Sequence, residues 1–355
     1  MLDFESLLIY LTFLGISYFF AYLYDKKKAP SFLFLLYLAL VLISGLRYEV
    51  GFDYKGYVEI FDSIRFNDYN RVEIGFYYLN LLFSNQKNGF ISVQICMAAA
   101  TYLFLIAAFC RYNKNIRYSI FFLFAFQLIF QINNQERQGL AMAIFFYALH
   151  FLETNKKIKY VVYILLASLF HTSALILLLF IFYNRYPPTK IWRLLMVISF
   201  ICSALGVFNN LASKLLNVIL SNVPQYQVYL TYDGAKYTEV SDVHGASAVI
   251  ICLFWVIVAF FISLKADRYV VNKKLLNIYY LGISLYPIFI SFHLLERIFY
   301  YFIFLNVILA SEICSRSKNY KYILFFLGYF VFIVFCLKNW GSFGGYPYKS
   351  IFSIL

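Results

Sequence analysis

Apolar runs close to the thickness of a lipid bilayer recur from one end of this chain to the other, separated by short basic clusters. A helix needs ~20 such residues to cross ~30 Å of hydrocarbon. Inside that layer each backbone polar group must find its partner within the protein, so runs of this length fold as helices. Hydrophobic residues make up 63% of the 355 and charged ones 13%, far below the roughly 25% charged of soluble domains. No stretch is left for a sizeable soluble domain. The chain reads as an all-α integral membrane protein, a single multispanning domain over residues 1–355.

The basic clusters give the topology. Lys26, Lys27 and Lys28 follow the first run, Leu7–Tyr24, and by the positive-inside rule they are cytoplasmic. Arg111, Lys114 and Arg117, then Lys156, Lys157 and Lys159, then Lys265, Arg268, Lys273 and Lys274, and finally Arg316, Lys318 and Lys321 return to that side. The alternation predicts about ten transmembrane helices with both termini external, and external loops at about 47–89 and 209–245. The net charge of +13 is spread over these clusters rather than gathered in a basic domain, which excludes nucleic acid as a partner. The acidic start, Asp3 and Glu5, lacks the basic character of a cleaved leader, so the first run is expected to be retained. All six cysteines lie in or beside apolar runs without a Cys-x-x-Cys, so neither disulfides nor a metal site is expected.

Three stretches depart from simple crossings. Tyr160–Tyr183 is one apolar run with basic clusters at both ends and His171 at its middle. An ionisable group there is costly unless the backbone is interrupted or water enters. The expectation is a re-entrant hairpin, Tyr160–Leu169 and Ser173–Tyr183, with His171 at the apex. Val72–Phe83 is apolar but too short to span, so it lies in the interface or dips in. Leu211, Leu215, Leu216, Ile219 and Leu220 share one helical face, and Tyr226, Tyr229, Tyr232 and Tyr237 follow, which reads as an interfacial amphipathic lid.

The external face carries arginine beside acid: Arg47 with Glu49 and Asp53, Arg71 with Glu73, Glu136-Arg137 and Glu296-Arg297. Arginine binds phosphate bidentately and keeps its proton. His-Glu-x-x-His, the phosphate-binding Gly-x-x-x-x-Gly-Lys and Asp-x-Asp are all absent, so metal and ATP chemistry, and any cofactor, are not expected.

Four segments occur in an order that resembles the bacterial O-antigen and exopolysaccharide polymerases of the Wzy/EpsG family. They are Arg47 with Gly51-Phe52-Asp53-Tyr54 and Tyr57, then Glu136-Arg137-Gln138-Gly139-Leu140-Ala141, then Phe170-His171-Thr172-Ser173-Ala174, and Glu296-Arg297-Ile298-Phe299-Tyr300-Tyr301. The resemblance implies a metal-independent glycosyltransferase of the bacterial cytoplasmic (inner) membrane, active on its outer face. It would transfer an undecaprenyl-diphosphate-linked glycan to the non-reducing end of a lipid-linked repeat unit. Lipid-linked donor and acceptor and membrane lipids are the partners it implies, with a chain-length regulator protein as a further candidate. Such a reaction needs a clamp for the diphosphate and a base near the acceptor hydroxyl.

On that reading Arg47, Arg137 and Arg297 hold the diphosphate, with Glu136 and Glu296 orienting the adjacent guanidinium groups. Asp53 is the first choice for base, then His171 or Glu73, and Tyr54, Gln138 and Tyr300 support them. An Asx-turn role beside Gly51 is the alternative for Asp53; a bond to a backbone carbonyl is the alternative for His171. Interfacial arginines also serve as membrane anchors. A lipid-linked oligosaccharide flippase and an O-antigen ligase are the rival functions. No internal repeat of the kind flippases use is present.

Overall fold

The computed structural model of the protein describes residues 4–66, 72–183, 187–207, 214, 218, 246–270, 272–290, 293–317, 319–338, 345 and 347–353. The expected lid, with its tyrosines and His244, falls almost wholly outside these, as does Arg71. Among the described residues the regular structure is helical. In order come α1 (Phe4–Lys27), α2 (Pro30–Gly45), α3 (Tyr54–Arg65), α4 (Ile74–Phe83), α5 (Gly89–Tyr112), α6 (Ile116–Ala125), α7 (Leu128–Asn134), α8 (Glu136–Glu153) and α9 (Lys157–Ser168). A 3-10 helix (Thr172–Ile181) follows, then α10 (Thr189–Ala204), α11 (Ala246–Tyr269), α12 (Lys273–Phe289), α13 (His293–Ile303), α14 (Asn306–Arg316) and α15 (Tyr320–Lys338).

The expected crossings each find a helix, but few are long. Four stretches, Phe4–Lys27, Gly89–Tyr112, Ile250–Tyr269 and Leu295–Arg316, are long and apolar enough to span, and a fifth counts if α6 and α7 are one span bent by 63°. The other expected crossings do not meet that test. Helices of 16 residues such as α2 and α10 rise about 24 Å, less than the hydrocarbon layer, and α8 carries Glu136, Arg137 and Glu153. The protein is an all-α multi-pass membrane protein, and four or five of its helices among the described residues have full spanning length.

The chain forms two compact units, residues 1–183 with 310–355, and residues 184–309. In the first, α5 packs against α2 and α8, α8 against α9, and α1 against α2 and α6. Small residues allow the close approaches: a Cβ on Gly45 of α2 would stand 3.1 Å from Ile95 Cα of α5. In the second, α12 packs against α10 and α13, and polar side chains join the helices. Trp192 Nε1 donates to Asn277 Oδ1 at 2.7 Å, and Arg193 donates to the Ser263 carbonyl at 2.6 Å.

Two features of the first unit shape everything that follows. The polar stretch Asn133–Gly139, expected as a break, is helical on either side of a turn at Gln135, and its polar side chains other than Arg137 are buried. The run Tyr160–Tyr183 does turn back. Tyr160 Oη donates to the Leu177 carbonyl at 2.7 Å, although seventeen residues of continuous helix would hold the two about 25 Å apart. The reversal lies between α9 and the 3-10 helix, with His171 in extended backbone (φ −153°, ψ 108°). If both limbs enter from the cytoplasm, cysteines placed at exposed Lys156 and Phe182 in a cysteine-free background will be labelled from the same, cytoplasmic side by an impermeant maleimide. Labelling of the two from opposite sides would contradict the re-entrant hairpin.

Candidate functional site

The start of α4 meets the turn of the hairpin. Gly75 donates its N–H to the Leu169 carbonyl at 2.8 Å. A Cβ at Gly75 would sit 2.8 Å from that same oxygen, so glycine is required there. Two residues earlier, Glu73 ends the loop in extended backbone and does not cap its own helix. Its carboxylate reaches across instead. Oε2 accepts from Arg137 at 2.5 Å, and Oε1 accepts the Thr172 N–H at 3.2 Å. His171 Nδ1 stands 3.4 Å from Oε1, an ionic contact longer than a full hydrogen bond. Catalytic hydrogen bonds commonly have this length before substrate tightens them.

Arg137 comes from the first turn of α8. Its guanidinium lies over the rings of Tyr57 and Phe76, 5.5 and 5.4 Å from the centroids. The side chain retains 23% exposure, and its Nε is buried without a hydrogen-bond partner among the described residues. Glu73 is 9% exposed and His171 19%. Burial alone would raise the Glu73 carboxyl. The His171 contact and the Arg137 and His171 charges outweigh it and lower the carboxyl to about 2. A carboxylate held so low is a weak proton acceptor. What it can do is fix the imidazole, leaving His171 Nε2 to receive a proton.

The residue beside Arg137 looks the other way. Glu136 pairs with Arg47, whose guanidinium also donates to the Ser44 carbonyl. Arg47 is 2% exposed and Glu136 5%. Gln94 of α5 donates to the Arg47 carbonyl at 2.8 Å and lies within 3.3 Å of the Ser44 and Gly45 carbonyls, so the C-terminal carbonyls of α2 are satisfied by side chains. The expected roles change here. Glu136 does not orient the Arg137 guanidinium, because successive helical residues point about 100° apart. Arg47 is committed to a buried ion pair rather than turned towards a ligand. A cavity of about 10 Å³ adjoins Arg47, Asn133 and Glu136, room for about one water.

Asp53 and Tyr54 begin α3. Gly51 precedes them at φ +105°, and a Cβ there would meet the Asn133 carbonyl at 3.0 Å. The Asp53 N–H donates to Asn134 Oδ1 at 3.0 Å. The Asp53 carboxylate makes no capping bond to its own helix, so the Asx-turn alternative is not what the structure uses. Asp53 is half-buried one helical turn before Tyr57, the residue that supports Arg137. Gln138 is buried beneath the same helix start. Glu49 takes positive φ and pairs with Lys349 at 3.1 Å rather than with Arg47.

Lys349 belongs to a segment to which sequence reasoning assigned no role. The C-terminal tail lies beside residues 46–48, with the Tyr48 N–H donating to the Lys349 carbonyl and the Ile351 N–H to the Leu46 carbonyl, both at 2.9 Å. Tyr348 Oη donates to the Ile43 carbonyl at 2.9 Å, and the Tyr348 N–H donates to Ser6 Oγ at 2.6 Å. Nothing in the polar, glycine-rich sequence of the tail signals that docking.

The late motif lies in the second unit. Glu296 accepts from Tyr286 Oη at 3.0 Å and from Tyr300 Oη at 2.8 Å. Arg297 is half-buried just after the first turn of α13. Among the described residues, no three of His, Cys, Asp and Glu come together as metal ligands.

A family model described as the EpsG family matches residues 31–350 of the chain. No curated protein and no solved structure matches it.

The Glu73 geometry carries a pH signature. Its carboxyl lies at about 2, against an ordinary 4.5. The ionised form therefore contributes stability that is complete above pH 4.5 and lost as the pH falls towards 2. In detergent at pH 7, Glu73→Gln should cost about 3 kcal/mol of stability, since it removes the carboxylate that Arg137 and His171 hold ionised. The gap in unfolding temperature should narrow below pH 4.5 and close near pH 2. A gap that does not change over that range would contradict the assigned state of Glu73.

Proposed function

We propose that this chain, which belongs to the EpsG family, is a polysaccharide polymerase that transfers a glycan from undecaprenyl diphosphate to the non-reducing end of a lipid-linked repeat unit. The observation that carries the reading is one carboxylate, Glu73, joined at once to a half-exposed arginine and to a histidine at the turn of a hairpin. That constellation offers a fixed cation and an oriented base, the two needs of displacing a diphosphate with a hydroxyl.

In the proposed step the acceptor hydroxyl oxygen attacks the anomeric carbon of the donor, and the bond from that carbon to the diphosphate oxygen breaks. The hydroxyl proton goes to His171 Nε2, and undecaprenyl diphosphate leaves with its electron pair. Glu73 stabilises the imidazolium that forms. Arg137 faces the charge that develops on the leaving group, and its buried Nε–H is a donor that a phosphate oxygen would satisfy. Arg297 is assigned to the diphosphate on the motif that carries it, with Glu296 and Tyr300 in support. Asp53 and Tyr54 lie on the acceptor side of Arg137 in this scheme. Arg47 acts as a positioning residue, holding Glu136 and hence the start of α8. The Lys and Arg bias of the loops supports an active face outside the cytoplasmic membrane.

Deleting the gene and resolving the surface polysaccharide on a gel tests the reading: the polymerase leaves single-repeat material. Absence of all repeat material would mean a flippase, and normal-length polymer left on its lipid carrier would mean a ligase. In a purified assay His171→Asn should slow transfer by about 10² to 10⁴ at unchanged protein level. Arg137→Lys should slow it by about one to two orders of magnitude, the loss of a charged hydrogen bond. Wild-type rates in the His171 variant would return the base to Asp53.

A further inference from the structure

Helix α3 has two working sides. Tyr57 faces Arg137, whereas Tyr54, Phe61 and Asp62 line a cleft of about 680 Å³ that the Glu73 cluster does not use. Its volume is that of a small-molecule site, in the range of about 300 to 1,000 Å³. One wall is a chain of rings: Tyr48 to Tyr54 at 6.0 Å, Tyr54 to Phe90 at 5.4 Å and Phe90 to Phe61 at 6.0 Å between centroids, mostly edge to face. The rest carries charge of both signs, with Lys55, Arg65 and Lys87 as cations and Glu49, Glu59 and Asp62 as acids. Glu49 is held by Lys349. Among the described residues Lys55, Glu59, Asp62 and Lys87 make no ion pair with one another or with anything else, although α3 brings the first three within two turns.

This chemistry selects its occupant. An acyl chain would leave three carboxylates and three cations facing hydrocarbon, a cost of several kcal/mol. A phosphate or other anion would meet as many acids as bases. A neutral polyhydroxylated ligand fits both the rings and the charges. Its hydroxyls donate to carboxylates and accept from ammonium and guanidinium groups, and its C–H faces lie on aromatic carbon. We infer that the cleft between α3 and the start of α5 binds uncharged sugar residues of the acceptor glycan. The acceptor identity rests on the polymerase reading; the sugar class rests on the cleft alone. Sugar selectivity thereby falls on α3 and the start of α5, with one helix diameter, about 10 Å, separating the glycan from the Arg137 side.

The test uses the full-length protein in nanodiscs and measures binding, so it needs no transfer activity. The probes are neutral oligosaccharides released by mild acid from the host's own surface polysaccharide, inorganic diphosphate, and phosphatidylglycerol vesicles. Glu59→Gln combined with Asp62→Asn alters two exposed side chains and keeps their size. A second variant, Lys55→Met, removes a donor. Each should weaken oligosaccharide binding by at least about tenfold at unchanged unfolding temperature, and neither diphosphate nor vesicles should displace the sugar from the wild type. Equal binding by the variants, no binding by the wild type, or displacement by diphosphate overturns the inference. If binding is lost in the variants while the deletion strain shows an unaltered polysaccharide gel, the cleft assignment stands and the polymerase reading falls. If the deletion strain makes single repeats while the variants bind normally, the reverse holds.

Discussion

A buried carboxylate is expensive unless charge and hydrogen bonds surround it, and the contacts of Glu73 join three separate parts of the chain. Arg137 brings the start of α8, His171 and Thr172 bring the turn of the hairpin, and Glu73 itself brings the start of α4. None of these is near another in sequence. Each would be poorly placed alone: a guanidinium on two rings, an imidazole midway along an apolar run, and an acid at the end of a loop. Together they fix where the reversal of the chain must lie and how close α4 must come, which is why Gly75 can carry no side chain.

A second layer keeps this arrangement rigid. Arg47 and Glu136 form a buried pair one residue away from Arg137, and Gln94 ties the end of α2 to α5. The C-terminal tail adds main-chain bonds to the same segment. Sites supported on packed helices hold geometry better than sites on loops. Here the loop from Arg47 to Asp53 is held at both ends: Arg47 by Glu136 and Gln94, and Asp53 by Asn134, which takes its N–H. The polar residues of α7 and the start of α8 are therefore used inside the protein, although in sequence they look like an exposed break.

Much of this was legible in the residues. The hairpin could be read because basic clusters flank one apolar run and a histidine sits at its middle. Three of the four motifs mark segments that come together in the first unit. The partners within it were not legible. The dipeptide Glu136-Arg137 invites a local pair that helix geometry forbids, and the real partners, Arg47 and Glu73, lie 89 and 64 residues away. At Glu296 the dipeptide alone does not signal that Tyr286 and Tyr300 donate to the carboxylate. The lengths of the helices were less legible than their number, because apolar runs of 16 residues form helices shorter than the hydrocarbon layer. The tail was missed because main-chain pairing leaves no side-chain pattern.

The account stands on Glu73 working through His171 rather than independently of it. A double-mutant cycle on the initial rate of undecaprenyl diphosphate release measures this directly, with Glu73→Gln, His171→Asn and the pair compared in purified protein. Residues that act as a unit give strongly non-additive losses. The account predicts that the double variant is no slower than His171→Asn alone. Losses that multiply would contradict it and leave Glu73 as a structural ion-pair partner of Arg137.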